Sequence, residues 1–267
     1  GRGDPAEIKR LAAEVLERKP DGLVLGGFGP ESLGELHELF QDRGIALVGW
    51  HAGDRPGPTD KLFSNVTSDP LQVADLATEY AMRDGPIGVV IFTDSQFAIA
   101  TAKTQRMVQR LEACTQCKVL SVEDLPIASA GKGMDERVRS LQRRFGAEWS
   151  HTLAINDVYF DHINVPLNAL GRKDIRNISA GVGSAKALGR IHSGLSQQVA
   201  TVAEPLSMQG WQLVDELNRA FAGQSPSLFV TPPLLITPQV LQESDDLTIE
   251  LDFSHEDAYL RLWRQVK

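Results

Sequence analysis

Only two cysteines, three tyrosines and four tryptophans occur among the 267 residues, and aromatics make up just 6% of the chain. So little cysteine excludes a disulfide framework or a cysteine-built zinc module as the basis of the fold. No apolar run approaches the length of a transmembrane helix. Positive charge is also short: 27 Lys and Arg stand against 35 Asp and Glu, a net charge of −8. An acidic balance argues against nucleic acid as a partner, since broad contact needs a basic face. Familiar catalytic signatures are missing too: there is no Gly-x-Ser-x-Gly elbow, no P-loop, no His-Glu-x-x-His and no metal-ligand cysteine set. Gly26, Gly27 and Gly29 precede a helix, where a phosphate could sit, but they miss the dinucleotide fingerprint. The expectation is a non-enzyme with no metal and no cofactor. His37 and His192 are expected on solvated helix faces. No secretory leader is visible, and "GRGDP" does not read as a native start, so a removed leader is compatible with the sequence.

What is present is an ordinary globular balance, 42% hydrophobic and 23% charged, arranged in an alternating rhythm. Short apolar runs bounded by glycine or polar residues ("DGLVLGGF", "IALVGW", "IGVVIFTD", "KVLSV", "HTLAIND", "IRNISAGVG", "VATVAE") read as buried strands. Between them lie helical spacings. One covers Glu7 to Arg18. "PESLGELHELFQDRG" has Pro30 near its start and Gly44 past its end. "SDPLQVADLATEYAMRDG" has Ser68 or Asp69 as its cap. "YFDHINVPLNALG" should be disturbed at Pro166. About eight βα steps with short links predict an α/β protein with parallel sheets covered on both faces. The closing "SLFVTPPLLITPQVLQ" reads as a strand pair broken by Pro232 and Pro233, and "LDFSHEDAYLRLWRQVK" as a terminal helix. Cys114 and Cys117, in "CTQC", end a helix rather than opening one. That position favours a disulfide or two inert thiols over a redox pair, and a disulfide would fit an oxidising compartment.

Several stretches, in their order and spacing, resemble the periplasmic sugar-binding protein family, the ribose-binding-like branch of type I solute-binding proteins. They are "KPDGLVLGG", "GIALVGWHAG", "VTSDP", "LAINDVYFDHINVPLNALG", "ISAGVGSAKALGRIHSG", "QVATVAEPLSMQGWQLVDELNRAFAGQSP" and "FSHEDAYLRLWRQV". The resemblance implies two doubly wound parallel-sheet lobes joined by three crossings, 1–68 plus 205–229 and 69–204 plus 230–267. It also implies a sugar or polyol held between the lobes and passed to the membrane permease of an ABC importer, by a monomer in the periplasm. Members of the family begin with one more βα unit than is seen here. The effector-binding half of a Lac-repressor-type regulator, or a sensor domain, shares the fold and stands as the alternative.

Open α/β sheets bind ligands beyond the carboxyl ends of their strands, and the candidate residues are chosen there. Trp50 and His51 end one strand; the resemblance implies an Asp-Arg pair at that place, so the chain departs from the pattern. Asp94 and Phe97 follow another, with Asp94 equally suited to cap the next helix, and Lys103 lies where the family often has an arginine. Asn156 matches a ligand-contacting asparagine, while Asp157 is either a contact or the cap of the following helix. Val182 stands where ribose-binding members carry a carboxylate. Glu204 matches a ligand-contacting glutamine at a crossing, or else sits at a helix start.

Overall fold

A computed structural model describes residues 4–242 and 254–265. The chain opens with α1 (Pro5–Glu17), capped by Asp4, whose carboxylate accepts from the backbone N–H groups of Ala6 and Glu7. Then come β1 (Gly22–Gly26), α2 (Leu36–Asp42), β2 (Ala46–Trp50) and β3 (Ser64–Val66), the three strands forming one parallel sheet in that order. Leu16, Phe40 and Leu47 anchor its core.

The second sheet follows: α3 (Pro70–Met82), β4 (Ile87–Thr93), α4 (Ala98–Glu112), β5 (Cys117–Asp124), α5 (Met134–Phe145), β6 (His151–Ala154), α6 (Val158–Ala169), β7 (Arg176–Ser179), α7 (Ala185–Ser193) and β8 (Gln198–Ala203). Its strand order is β5-β4-β6-β7-β8-β9, parallel except for β9 (Leu234–Ile236), which runs antiparallel to β8. All seven residues of β4 are buried, as expected for a central strand covered on both faces. Between β8 and β9, α8 (Leu206–Phe221) leaves this sheet and packs on β2 and β3 of the first. The chain therefore passes between the sheets after β3, after β8 and before β9.

Several elements differ from expectation for local reasons. The helix expected over Pro30 to Gly44 is interrupted: a single 3-10 turn (Pro30–Leu33) ends at Gly34, whose φ of +58° suits glycine, and α2 starts afresh. Pro166 does not end α6, which runs on through it. Of the strand pair expected around Pro232 and Pro233, only β9 forms, because prolines cannot donate to a ladder; α9 (Pro238–Gln242) follows and packs on α7. The closing α10 (His255–Gln265), grouped by sequence with the second lobe, packs instead on α8. There the Trp263 ring stacks 5.5 Å from Trp211 and its indole N–H donates to Asp215 (2.8 Å). His37 is buried rather than solvated, its Nε2 lying 3.4 Å from the Lys61 carbonyl. His192 is exposed.

Cys114 and Cys117 form a disulfide between α4 and β5, with their Cα atoms 5.3 Å apart. Intact mass without reductant is therefore expected to be two hydrogens below the reduced mass; equal masses would refute the bond. A loop this short restricts the unfolded chain by only about 2 kcal/mol in the chain-entropy picture, so reduction should lower the melting temperature by about 8 °C at most. Among the described residues no helix is long and apolar enough to cross a membrane.

Candidate functional site

Parallel strands all end on the same side of their sheet, so the loops leaving β2, β4, β6 and β7 face one another across the gap between the two sheets. A cavity of about 140 Å³ lies there. It is lined by Gly27 after β1, Trp50 and His51 at the end of β2, Phe97 just before α4 with Ile99, Ala100 and Lys103 on it, Ile127 after β5, Ile155 and Asn156 after β6, and Val182 after β7. A wider hollow of about 560 Å³ shares Gly27 and is lined by the loops after β1 and β2 and the start of α4. A larger hollow, about 1070 Å³, lies at the amino ends of β1 and β2 and contains none of the candidate residues.

Five of the eight candidates line the small cavity: Trp50, His51, Phe97, Lys103 and Asn156. The Trp50 indole is fixed from α8, its N–H donating to Gln209 Oε1 at 2.9 Å, and it stacks 4.7 Å from the His51 ring. Phe97 packs 4.8 Å from Phe28. Asn156 Oδ1 accepts from the Val158 backbone N–H (3.0 Å), so it is Asn156, and not Asp157, that caps α6.

The other three candidates support the cavity without lining it. Asp94 is buried, and its two oxygens accept from the backbone N–H groups of Gln96 (3.1 Å) and Ile127 (2.8 Å). It thereby holds the Ile127 loop against the cavity. Asp157 is buried too, and both oxygens are occupied. Oδ2 accepts from the consecutive N–H groups of Val182 (3.1 Å), Gly183 (2.9 Å) and Ser184 (2.9 Å), and Oδ1 from Gln198 Nε2 (2.9 Å) and Thr201 Oγ1 (2.8 Å). Its role is to shape the loop that carries Val182 into the site. Nothing local in the sequence signals these partners, which lie 25 to 44 residues further along the chain.

Glu204 sits directly behind the cavity wall, 2% exposed. Oε2 accepts from the Ser68 N–H (3.2 Å) and Gln209 Nε2 (3.1 Å), and lies 3.2 Å from His51 Nε2. Oε1 lies 3.7 Å from Lys103 Nζ and makes no hydrogen bond. His51 Nε2 is likewise at ion-pair distance but out of hydrogen-bond alignment. His51 reaches this point from a left-handed backbone, φ +53°. Burial alone would raise the Glu204 pKa; His51, the Lys103 charge and Gln209 outweigh it and hold the carboxyl well below its ordinary range. Burial pushes the Lys103 ammonium down, opposed chiefly by Glu204. Lys103 Nζ also donates to the Ala180 carbonyl at 2.8 Å. One carboxylate thus ties together β2, α4, α8 and the crossing after β3.

The aliphatic walls, Ile99, Ile127 and Ile155, went unrecognised in sequence. Ile155 was within reach, because it directly precedes Asn156 at a strand end; Ile127 lies in a loop with no motif around it. Among the described residues no group of His, Cys, Asp and Glu is arranged to hold a metal ion.

No protein-family model matches the chain, and no curated protein matches it. Solved structures do. An ABC sugar transporter subunit from Rhodobacter sphaeroides 2.4.1 matches with a TM-score of 0.74 at 23% identity, over 88% of this chain and 84% of that one. An ABC transporter solute-binding protein from Agrobacterium vitis with bound allitol matches at 0.77 and 18% identity, over 90% and 83%. A 5-methylthioribose transporter solute-binding protein from Thermotoga lettingae TMO, in complex with 5-methylthioribose, matches at 0.79 and 18% identity, over 90% and 75%. The chain therefore has the two-lobed α/β fold of ABC-transporter solute-binding proteins, the type I arrangement of parallel sheets joined by crossings.

Proposed function

We propose that this chain is a solute-binding protein that captures a sugar or polyol between two lobes and delivers it to the membrane permease of an ABC importer. The lobes are 1–68 with 205–229 and 69–204 with 230–242, and α10 belongs with the first through its packing on α8. The observation that carries the reading is the cavity between the carboxyl edges of the two sheets, lined by aromatic and hydrogen-bonding side chains from both. A ligand there touches Trp50 and His51 on one side and Phe97, Lys103 and Asn156 on the other. Those contacts exist together only when the lobes are closed, so ligand shifts the population toward the closed form. Nothing in this scheme requires catalysis, a cofactor or a second copy of the chain. The Cys114–Cys117 disulfide fits a periplasmic location. The structural neighbours with bound allitol and 5-methylthioribose support the ligand class.

A thermal-shift screen of sugars, polyols and amino acids tests the proposal. A ligand at about 100 times its dissociation constant should stabilise the protein by about 2.7 kcal/mol. A hit among sugars or polyols supports the reading, and a hit only among amino acids overturns the ligand class. A cooperative melt with no response to any of them would favour a regulator or sensor domain.

A further inference from the structure

We infer that the solute is a single small sugar or polyol unit carrying an apolar substituent, such as a deoxy or methyl-substituted sugar, rather than a fully hydroxylated hexose or a disaccharide. The inference rests on the binding-protein reading above and narrows its ligand class.

Size is the first argument. The cavity between the sheets holds about 140 Å³, close to the roughly 150 Å³ apolar cavity that accommodates one benzene. One ring or a short carbon chain fills this space, and a second linked ring would have to lie outside it, toward the wider hollow that shares Gly27.

The lining is the second. Seven apolar residues besides Gly27 line the cavity: Trp50, Phe97, Ile99, Ala100, Ile127, Ile155 and Val182. Three polar ones do, His51, Lys103 and Asn156, and each is already partly committed. Asn156 Oδ1 is held by the Val158 N–H, Lys103 Nζ donates to the Ala180 carbonyl, and His51 faces Glu204. The capacity left for a ligand is the Asn156 amide nitrogen, the remaining Lys103 N–H groups and the far ring nitrogen of His51. Glu204 Oε1 lies behind this wall, paired with Lys103 at 3.7 Å and buried, and adds no acceptor to the cavity.

A hexose brings five hydroxyls, each of which needs a partner once it leaves water. A hydroxyl buried without one weakens binding by about tenfold or more. Two or three hydroxyls can be matched by the polar set around Glu204. A methyl or methylene in place of another would meet aliphatic wall and gain from burial. Selectivity in such a site comes from the hydroxyl that is absent, because the walls of Ile99, Ile127 and Ile155 offer it no partner.

Calorimetric titration of the full chain with matched pairs tests this: fucose against galactose, rhamnose against mannose, 5-deoxyribose against ribose, with maltose and cellobiose as two-ring probes. The expected result is at least a tenfold lower dissociation constant for the deoxy member in the best-binding pair, and no binding of either disaccharide. Tighter binding of the hydroxylated parent in every pair, or binding of a disaccharide, overturns the inference and leaves the binding-protein reading standing. Silence from every sugar and polyol removes both. Ile127→Ser supplies a second reading, because it gives the wall a hydroxyl. In a variant that melts like the parent protein, the preference for the deoxy ligand should fall at least threefold, and an unchanged ratio overturns the role given to this wall.

Discussion

Replacing Lys103 with methionine is expected to destabilise the ligand-free protein by about 3–5 kcal/mol, the usual cost of leaving one partner of a buried ion pair alone. For a chain of this size that corresponds to a fall in melting temperature of roughly 6–20 °C. Lys103 is 3% exposed, and its ammonium stands 3.7 Å from Glu204 and 2.8 Å from the Ala180 carbonyl. Methionine fills much the same volume, so packing changes little and the measured loss reports the charge. Without Lys103, the buried Glu204 loses the cation beside Oε1 and keeps partners only at Oε2, in Ser68, Gln209 and the neighbouring His51. The double variant Lys103→Met with Glu204→Gln should recover more than half of the loss, since the uncompensated carboxylate is then gone. The coupling between the two sites follows from the cycle of single and double variants. A single-variant loss below about 1 kcal/mol would show that the pair contributes no more than a surface ion pair.

The same pair has a defined pH behaviour. The Glu204 pKa is lowered from its ordinary 4.5. Its folded-state advantage is therefore complete above that value and is lost as pH falls through and below it. Chemical unfolding of the wild type and of Lys103→Met should converge as pH drops below about 4.5. A gap that stays constant to pH 3 would mean that Glu204 is not the group sensing Lys103.

This arrangement marks what sequence could and could not disclose. The strands and helices were legible because their signals are local: four to seven apolar residues between turn residues, then a 3.6-residue stripe with a cap. Asp69 ahead of Pro70 is such a case, its carboxylate accepting from the Leu71 N–H. Strand-end position also located Trp50, His51 and Asn156, since a parallel sheet directs all its strand ends to one side. Roles were harder. That Glu204 ends a strand is visible in "VATVAEP", but that Lys103 lies against it is a contact across 101 residues, set by how α4 packs over the second sheet. His37 is expected on a solvated face, yet it shares the buried face of Phe40, three residues on, and lies beneath the loop carrying Lys61; the i, i+3 spacing was the signal for it. In "AIND", two adjacent polar residues compete for one cap. Asn156 takes it, because Asp157 is turned inward by a loop 25 residues away.

That inward turn leads to the second large effect. Asp157→Ala should lower the melting temperature by roughly 6–20 °C, while Asp157→Asn should cost less than half as much. Alanine removes the acceptor for three consecutive backbone N–H groups, those of Val182, Gly183 and Ser184. Backbone donors cannot be turned around, and at these part-buried positions the three left without a partner cost about 3–5 kcal/mol together, the low end of about 1–3 kcal/mol each. Asparagine keeps one carbonyl oxygen, which can stay on those three donors. Its NH₂ then faces Gln198 and Thr201, now donors to Oδ1. The threonine adapts by rotating its hydroxyl, whereas Gln198, whose Oε1 already accepts from Arg190 Nε (2.7 Å), gives up this one contact. What asparagine loses is the Gln198 contact and the charge assistance of the carboxylate, while the three loop donors stay satisfied. Ligand response should follow the same order, weak or absent in Asp157→Ala and retained in Asp157→Asn, because Val182 keeps its place in the cavity only while its loop is held. A direct ligand contact by Asp157 would give the opposite pattern. Asparagine would then abolish ligand stabilisation and leave the apo melting temperature nearly unchanged, and the loop-holding role would have to be given up.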